Sequence, residues 1–192
     1  MRGHPNLAEP DKQAYAPERL GAFIDGANLY SATRALGFEV DYRKLLDHFH
    51  ASGRLVRAFY YTTIDEPDYL TLRDHALLDE GGYAMVAKPG KDHSMPRRRF
   101  DCEMAVELAL DLMAMVPHLD HAILMSGDGE FRGLVDAVQR RGIRVTIVST
   151  IRSTPLMIDD ALRRQADRFI DLEDLAPVIG RLVAETCRSD TL

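Results

Sequence analysis

Short apolar runs alternate with amphipathic stretches along most of this chain. Residues 20–24 (Leu-Gly-Ala-Phe-Ile) are apolar without interruption, as in a strand buried on both faces. Residues 54–64 are rich in aromatic and β-branched side chains and predict a second strand. Further short strands are expected at 83–87, 121–125, 145–148 and 169–170. Between them the apolar spacing becomes helical. Residues 28–36 predict a helix ended by Gly37, and 42–50 one capped by Asp41, with Leu45, Leu46 and Phe49 on its inner face. Pro67 opens a helix that Gly81 and Gly82 close. Residues 100–116 place Met104, Ala105, Leu108, Leu112 and Met115 toward a core. Helices are also expected at 131–141, stopped by Gly142, at 155–166 and at 173–186.

Continuous apolar strands alternating with amphipathic helices imply an α/β fold: a three-layer α/β/α sandwich with a mostly parallel central sheet. The polar first nineteen residues contain three prolines and read as a flexible lead-in, 1–19, with no apolar core of a signal peptide. A single domain is expected over 20–187, followed by a frayed tail, 188–192. A chain of 192 residues suits one domain with a sizeable core.

Composition narrows the class only slightly. With 46% hydrophobic and 28% charged residues the chain has a globular make-up, and a net charge of -6 argues against a generally basic nucleic-acid coat. No uncharged apolar run is long enough to span a bilayer, so no membrane partner is expected. Cys102 and Cys187 are too few for a disulfide framework and fit a reducing compartment; the cytoplasm is the expected location.

The acids carry the chemistry. Asp25 ends the run 20–24, and Asp128 follows the run 122–125 in Ser126-Gly127-Asp128-Gly129-Glu130-Phe131. Asp101 opens the long helix, on the face that also carries Ala105 and Leu108. In parallel α/β sheets the site lies beyond the carboxyl ends of the strands, where all three acids are expected to meet. Carboxylates brought close repel unless protons or a cation offset them, which points to a divalent metal and phosphodiester hydrolysis. The plainer reading makes Asp25 and Asp128 turn or capping residues, Asp101 a helix-dipole charge and Asn28 an N-cap. Asp111 reads as a solvent or structural acid, Glu103 and Glu107 as a solvated face, and Asp167 as structural. No Cys or His cluster has zinc spacing, and neither a dinucleotide loop nor a Walker loop is present.

Residues 88–99 predict a loop with five basic residues, Lys88, Lys91, Arg97, Arg98 and Arg99, against one acid. It is either a solvated loop or a grip on an RNA backbone, with Tyr30, Tyr60, Tyr61 and Phe100 as stacking candidates.

Three motifs occur in order: Phe23-Ile-Asp-Gly-Ala-Asn-Leu-Tyr30, Arg99-Phe-Asp-Cys-Glu-Met-Ala-Val-Glu-Leu-Ala-Leu-Asp111 and Ser126-Gly-Asp-Gly-Glu-Phe131. The series resembles the NYN domain family, including LabA-like bacterial proteins, related in fold to PIN nucleases. The stretch Leu162-Arg-Arg-Gln-Ala-Asp-Arg-Phe-Ile-Asp-Leu172 is similar to the family's closing segment. The resemblance covers roughly residues 20–175. It implies a PIN-like fold and a metal-dependent ribonuclease site in which Asp25, Asp101 and Asp128 match the acidic metal residues. Asn28 matches the asparagine after the first strand, and Ser126 the serine opening the second loop. The family commonly reads Ser-Gly-Asp-Ser-Asp-Phe; this chain has Gly129 and Glu130, which keeps the charge with one more methylene.

The resulting expectation is cleavage of RNA, single-stranded by preference, with Asp25, Asp101, Asp128 and Glu130 holding Mg²⁺ or Mn²⁺. Asn28 and Ser126 would orient water or carboxylates. The alternative is a non-catalytic RNA- or protein-binding regulatory module on the same fold. A phosphatase using Asp25 as nucleophile is disfavoured, because position 27 is alanine rather than a second acid. PIN-like domains often pair, so a homodimer is expected by analogy.

Overall fold

The computed structural model describes residues 16–63, 78, 82–88 and 97–181, with the side chains of 63 and 97–103 outside that description. Eight strands are described: β1 Arg19–Asp25, β2 Glu39–Val40, β3 Arg54–Thr63, β4 Tyr83–Lys88, β5 His121–Met125, β6 Arg144–Ser149, β7 Arg168–Asp171 and β8 Gly180–Arg181. The helices among these residues are α1 Gly26–Leu36, α2 Tyr42–Ser52, α3 Arg97–Met115, α4 Arg132–Gln139, α5 Asp160–Gln165 and α6 Leu172–Ile179. The helix expected from Pro67 lies outside the described residues, apart from buried Leu78, as does the lead-in through residue 15.

Six strands form one sheet in the order β4-β3-β1-β5-β6-β7, and every adjacent pair is parallel. The expected mostly parallel sheet is therefore wholly parallel over these strands. Alternation along the strands sorts the core into two halves. Ala22 and Ile24 of β1, with Ile123 and Met125 of β5, pack against α1, α2 and α6 through Leu29, Leu45 and Leu172. Phe23, Ala122 and Leu124 face the other way, against Leu108 and Leu112 of α3, Val135 of α4 and Leu162 of α5. These are the three layers anticipated from the sequence.

Local signals explain most boundaries. The Asp41 carboxylate accepts from the backbone N–H groups of Arg43 and Lys44 at 3.1 and 3.2 Å, starting α2 as expected. Gly37 takes the left-handed conformation, φ 78°, that ends α1. Three boundaries differ from expectation. The helix anticipated at 155–166 begins only at Asp160, because Asp159 Oδ1 accepts from the N–H groups of Ala161 and Leu162 at 2.8 and 3.0 Å. The helix anticipated at 173–186 ends at Ile179, where Gly180–Arg181 pairs antiparallel with Glu39–Val40. Arg97, Arg98 and Arg99 belong to α3 rather than to a loop, and Lys88 closes β4.

Candidate functional site

The sheet order reverses between β1 and β5. From β1 the chain turns into α1 on one face; from β5 it turns toward α4 on the other. Neighbouring connections that leave in opposite directions open a crevice beyond the strand ends, the usual ligand position in such sheets. Asp25 and the segment from Ser126 to Glu130 occupy this place.

Asp25 is the last residue of β1 and the N-cap of α1. Its Oδ1 accepts from the Asn28 N–H at 3.1 Å and its Oδ2 from the Ser126 hydroxyl at 2.9 Å. Ser126 is fully buried, and its Oγ in turn accepts from the Asp128 N–H at 3.3 Å. One hydroxyl thus joins the two acidic turns. A second tie runs alongside, from the Gly127 N–H to Asn28 Oδ1 at 3.1 Å. Asp128 caps a short 3-10 turn, Gly129–Phe131, with Oδ1 accepting from the Glu130 N–H at 2.9 Å. Asp25, Asn28 and Asp128 are half-buried and Glu130 is exposed. The structure therefore brings Asp25, Asn28, Ser126 and Asp128 into one hydrogen-bonded unit, with Glu130 at its rim.

Asp101 lies in the first part of α3, and its side chain is outside the described ones. The course of α3 is fixed by two contacts. Lys88, at the end of β4, pairs with Glu107 at 3.0 Å, and the Tyr61 hydroxyl donates to Asp111 Oδ2 at 3.0 Å. Tyr61 is in register with Asp25. Asp101 precedes Glu107 by six residues, about 9 Å of helix rise, on the side leading out past the strand ends. The backbone of Asp101 is thus at the same sheet edge as the other acids.

The basic segment reads differently once folded. Lys88 is engaged by Glu107, so Glu107 is an ion-pair partner and not simply a solvated acid. Lys91 lies outside the described residues, and Arg97, Arg98 and Arg99 outside the described side chains. Of the stacking candidates, Tyr60 and Tyr61 are buried in the core, and Phe100 is outside the described side chains. Tyr30 is half-buried, with the Arg34 guanidinium 5.7 Å from its ring centroid. Burial holds the Tyr61 hydroxyl proton well past the usual phenol range, helped by Asp111 and Glu107. Asp111 and Asp167 have structural partners: Asp167 Oδ2 accepts from the Val145 N–H at 2.7 Å.

Sequence reasoning missed the segment Met157 to Asp159. The Asp159 N–H donates to Gly127 O at 2.9 Å. A Cβ on Gly127 would stand 1.7 Å from Met157 O, and one on Gly129 would stand 2.7 Å from Asp159 Cγ. Both glycines flanking Asp128 are therefore required by close packing of one turn into another. Two glycines bracketing an acid after an apolar run were the available signal.

The donor set suits a hard divalent cation: carboxylate oxygens from two strand ends, an amide and a hydroxyl, with neither sulfur nor imidazole. Among the described residues no group of three His, Cys, Asp or Glu is arranged as a metal site.

Fold and site together define a wholly parallel α/β/α protein with paired acidic turns at the switch point of its sheet. The chain belongs to the NYN domain family, whose model matches residues 19–173. It is 34% identical over 175 residues to "Low amplitude and bright protein LabA" of Synechococcus elongatus, covering 88% of this chain and 91% of that protein. A crystal structure of a protein of unknown function, VPA0982 from Vibrio parahaemolyticus, shares the fold. Its TM-score is 0.70 at 24% identity, covering 88% of this chain and 99% of that one. No helix among the described residues is long and apolar enough to cross a membrane.

Proposed function

We propose that this protein is a metal-dependent ribonuclease that hydrolyses phosphodiester bonds of single-stranded RNA. The observation that carries the reading is the bridge from Asp25 through Ser126 to Asp128, at the point where the strand order reverses. Two acidic turns held this close call for a positive counter-charge. Membership of the NYN domain family, which is generally nuclease-like, supports the same reading.

Asp25, Asp101 and Asp128, with Glu130 at the rim, would hold Mg²⁺ or Mn²⁺. Such an ion, when bound, acidifies a water and offsets negative charge on the phosphoryl oxygens. The chain's own part is positional. The Ser126 hydroxyl and the Asn28 N–H each hold one oxygen of Asp25, fixing the plane of its carboxylate. The Gly127 tie to Asn28 holds the second acidic turn at a set distance from the first. Geometry fixed before the substrate arrives needs no reorganisation during the reaction. Lys91, Arg97, Arg98 and Arg99 would meet the RNA backbone as it enters.

The test uses the full chain and an end-labelled single-stranded RNA with Mn²⁺ or Mg²⁺. Cleavage should stop on adding a chelator. Asp25→Asn keeps an oxygen acceptor for the Asn28 N–H, since Asn also caps helices well, but removes the charge. It should lower cleavage by at least about a hundredfold with an unchanged near-UV circular dichroism spectrum. Full activity in that variant refutes the assignment. RNA binding by the wild type with no cleavage under either metal favours the non-catalytic binding module.

A further inference from the structure

We infer that the loop from β6 to α5 is a docking surface for an unpaired base of the RNA substrate, with Ile151 and Leu156 as its contact side chains. The inference rests on the ribonuclease reading above and adds to it the place of a base beside the scissile bond.

The loop leaves β6 after Ser149, at the same sheet edge as the acids. Its neck is closed by the Met157 N–H donating to Thr150 O at 3.3 Å and by the Ser149 hydroxyl donating to Met157 O at 2.7 Å. Closure at 150 and 157 sets Ile151 and Leu156 opposite each other, just above the neck. The loop is also anchored from below. Buried Asp171 accepts from the Thr150 hydroxyl and from the Ile151 N–H, each at 3.0 Å. The Ser153 hydroxyl donates to Pro155 O at 2.8 Å. Arg152 is turned to α6, where it meets Glu173 at 2.8 Å and Asp174 at 2.6 Å.

Despite these restraints, Ile151 is 42% exposed and Leu156 63%. Single exposed aliphatic residues are ordinary on protein surfaces. Two facing each other on an anchored loop, whose one cation is directed elsewhere, form an apolar ledge with a defined position. The base of that ledge touches the acidic turn directly, through Met157 against Gly127 and Asp159 against Gly129. A nucleotide has matching parts: an anionic phosphate, and a base whose flat faces are apolar. With the phosphodiester at Asp25 and Asp128, the ledge is the adjoining apolar surface in the described fold. Unpaired bases are held by stacking on aromatic or apolar side chains, a mode closed to a paired duplex.

The experiment measures cleavage and fluorescence-anisotropy binding of the full chain with labelled single-stranded RNA, beside oligonucleotides made abasic at one position each. Leu156→Ser and Ile151→Ser should each raise KM by about fivefold with kcat unchanged, the size expected for losing part of one aliphatic contact. Leu156→Phe should keep or improve KM. For the oligonucleotide lacking the docked base, wild type and Leu156→Ser should bind alike. An unchanged KM in both serine variants, or an equal loss on every abasic oligonucleotide, overturns the docking surface. So does a change of oligomeric state in sedimentation with RNA affinity intact, which would make the ledge a contact between copies. Binding in chelator separates the two readings. Leu156-sensitive binding without any cleavage rejects the nuclease and keeps the ledge; cleavage with Leu156-insensitive binding rejects the ledge alone.

Discussion

Replacing Gly127 by alanine should damage this protein far more than the same change at Gly133, six residues away. At Gly127 the new Cβ would stand 1.7 Å from Met157 O, 2.7 Å from Met157 C and 2.8 Å from Ile158 Cα. All three are backbone atoms, so no side-chain rotation relieves the clash; the turns at 126–130 and 157–159 must move apart. Such separation also lengthens the bond from the Asp159 N–H to Gly127 O. Overpacking costs about 1–3 kcal/mol and a lost hydrogen bond about 1 kcal/mol more, for a total near 3 kcal/mol. In a domain of this size that lowers Tm by roughly 10 °C. At Gly133, inside α4, nothing lies within 4 Å of the new Cβ. Alanine there should stabilise the helix by about 0.5 kcal/mol. Urea unfolding followed by circular dichroism at matched pH measures both. Gly127→Ala should also lose cleavage below its unfolding temperature, because the displaced turn carries Asp128. If Gly127→Ala stays within about 1 kcal/mol of wild type, or Gly133→Ala loses as much, the packing of the acidic turn against 157–159 is refuted.

Tyr61→Phe should cost about 1–2 kcal/mol in urea unfolding, because the Tyr61 hydroxyl is the donor to half-buried Asp111. An ultraviolet titration should show Tyr61 failing to ionise in the folded protein, since burial raises its pKa beyond the ordinary range; ionisation near pH 10 would contradict the contact. His121 is nearly buried, its Nε2 within 2.7 Å of Thr146 Oγ1 and its Nδ1 near Arg144 and Glu18. Burial, then the charges of Arg144 and Arg168, lower its pKa from 6.5 to about 4, while Asp167 opposes the shift. The unfolded chain therefore binds the proton more readily. The related stability is present above pH 6.5 and is lost as pH falls from there to about 4, by up to roughly 3 kcal/mol. His121→Gln should flatten that part of the stability profile; parallel profiles for wild type and variant would refute it.

The strands were legible where burial on both faces leaves an unbroken apolar run, as at Ala22–Phe23–Ile24 and Ile123–Leu124–Met125, whose residues alternate between the two core halves. Capping chemistry was equally local, and Asp41 performs the role its position suggests. Tertiary partners were not legible. Nothing in the spacing of Lys88 and Glu107, or of Tyr61 and Asp111, marks them as pairs, because their meeting depends on how α3 crosses the sheet. The strand Gly180–Arg181 was read as helix because its partner lies some 140 residues earlier, at Glu39–Val40. At 155–166 two local signals competed. Pro155 suggested an early helix start, while Asp159 offers its carboxylate to two N–H groups four residues later, and the cap prevails. In the site, Asp25 and Asp128 were legible from their positions after apolar runs. The segment 157–159 was not, since only the folded chain shows what fills the space beside Gly127 and Gly129.

The location of the acids follows from topology more than from any one motif. A parallel sheet sends every strand's carboxyl end to one edge, so each strand-to-helix turn is a candidate site. Most neighbouring turns leave toward one face and crowd each other. Only where the order reverses do adjacent turns diverge, and β1 and β5 are that pair. Divergence leaves room, and room between two buried strand ends would leave polar groups unpartnered unless something fills it. The fully buried Ser126 hydroxyl meets that need from within, donating to one acid's carboxylate and accepting from the other's backbone. The remaining capacity of the crevice is set by anionic oxygens facing an opening at the edge of the sheet. A counter-charge and a phosphate group together satisfy such a site, whereas an apolar ligand would satisfy neither requirement.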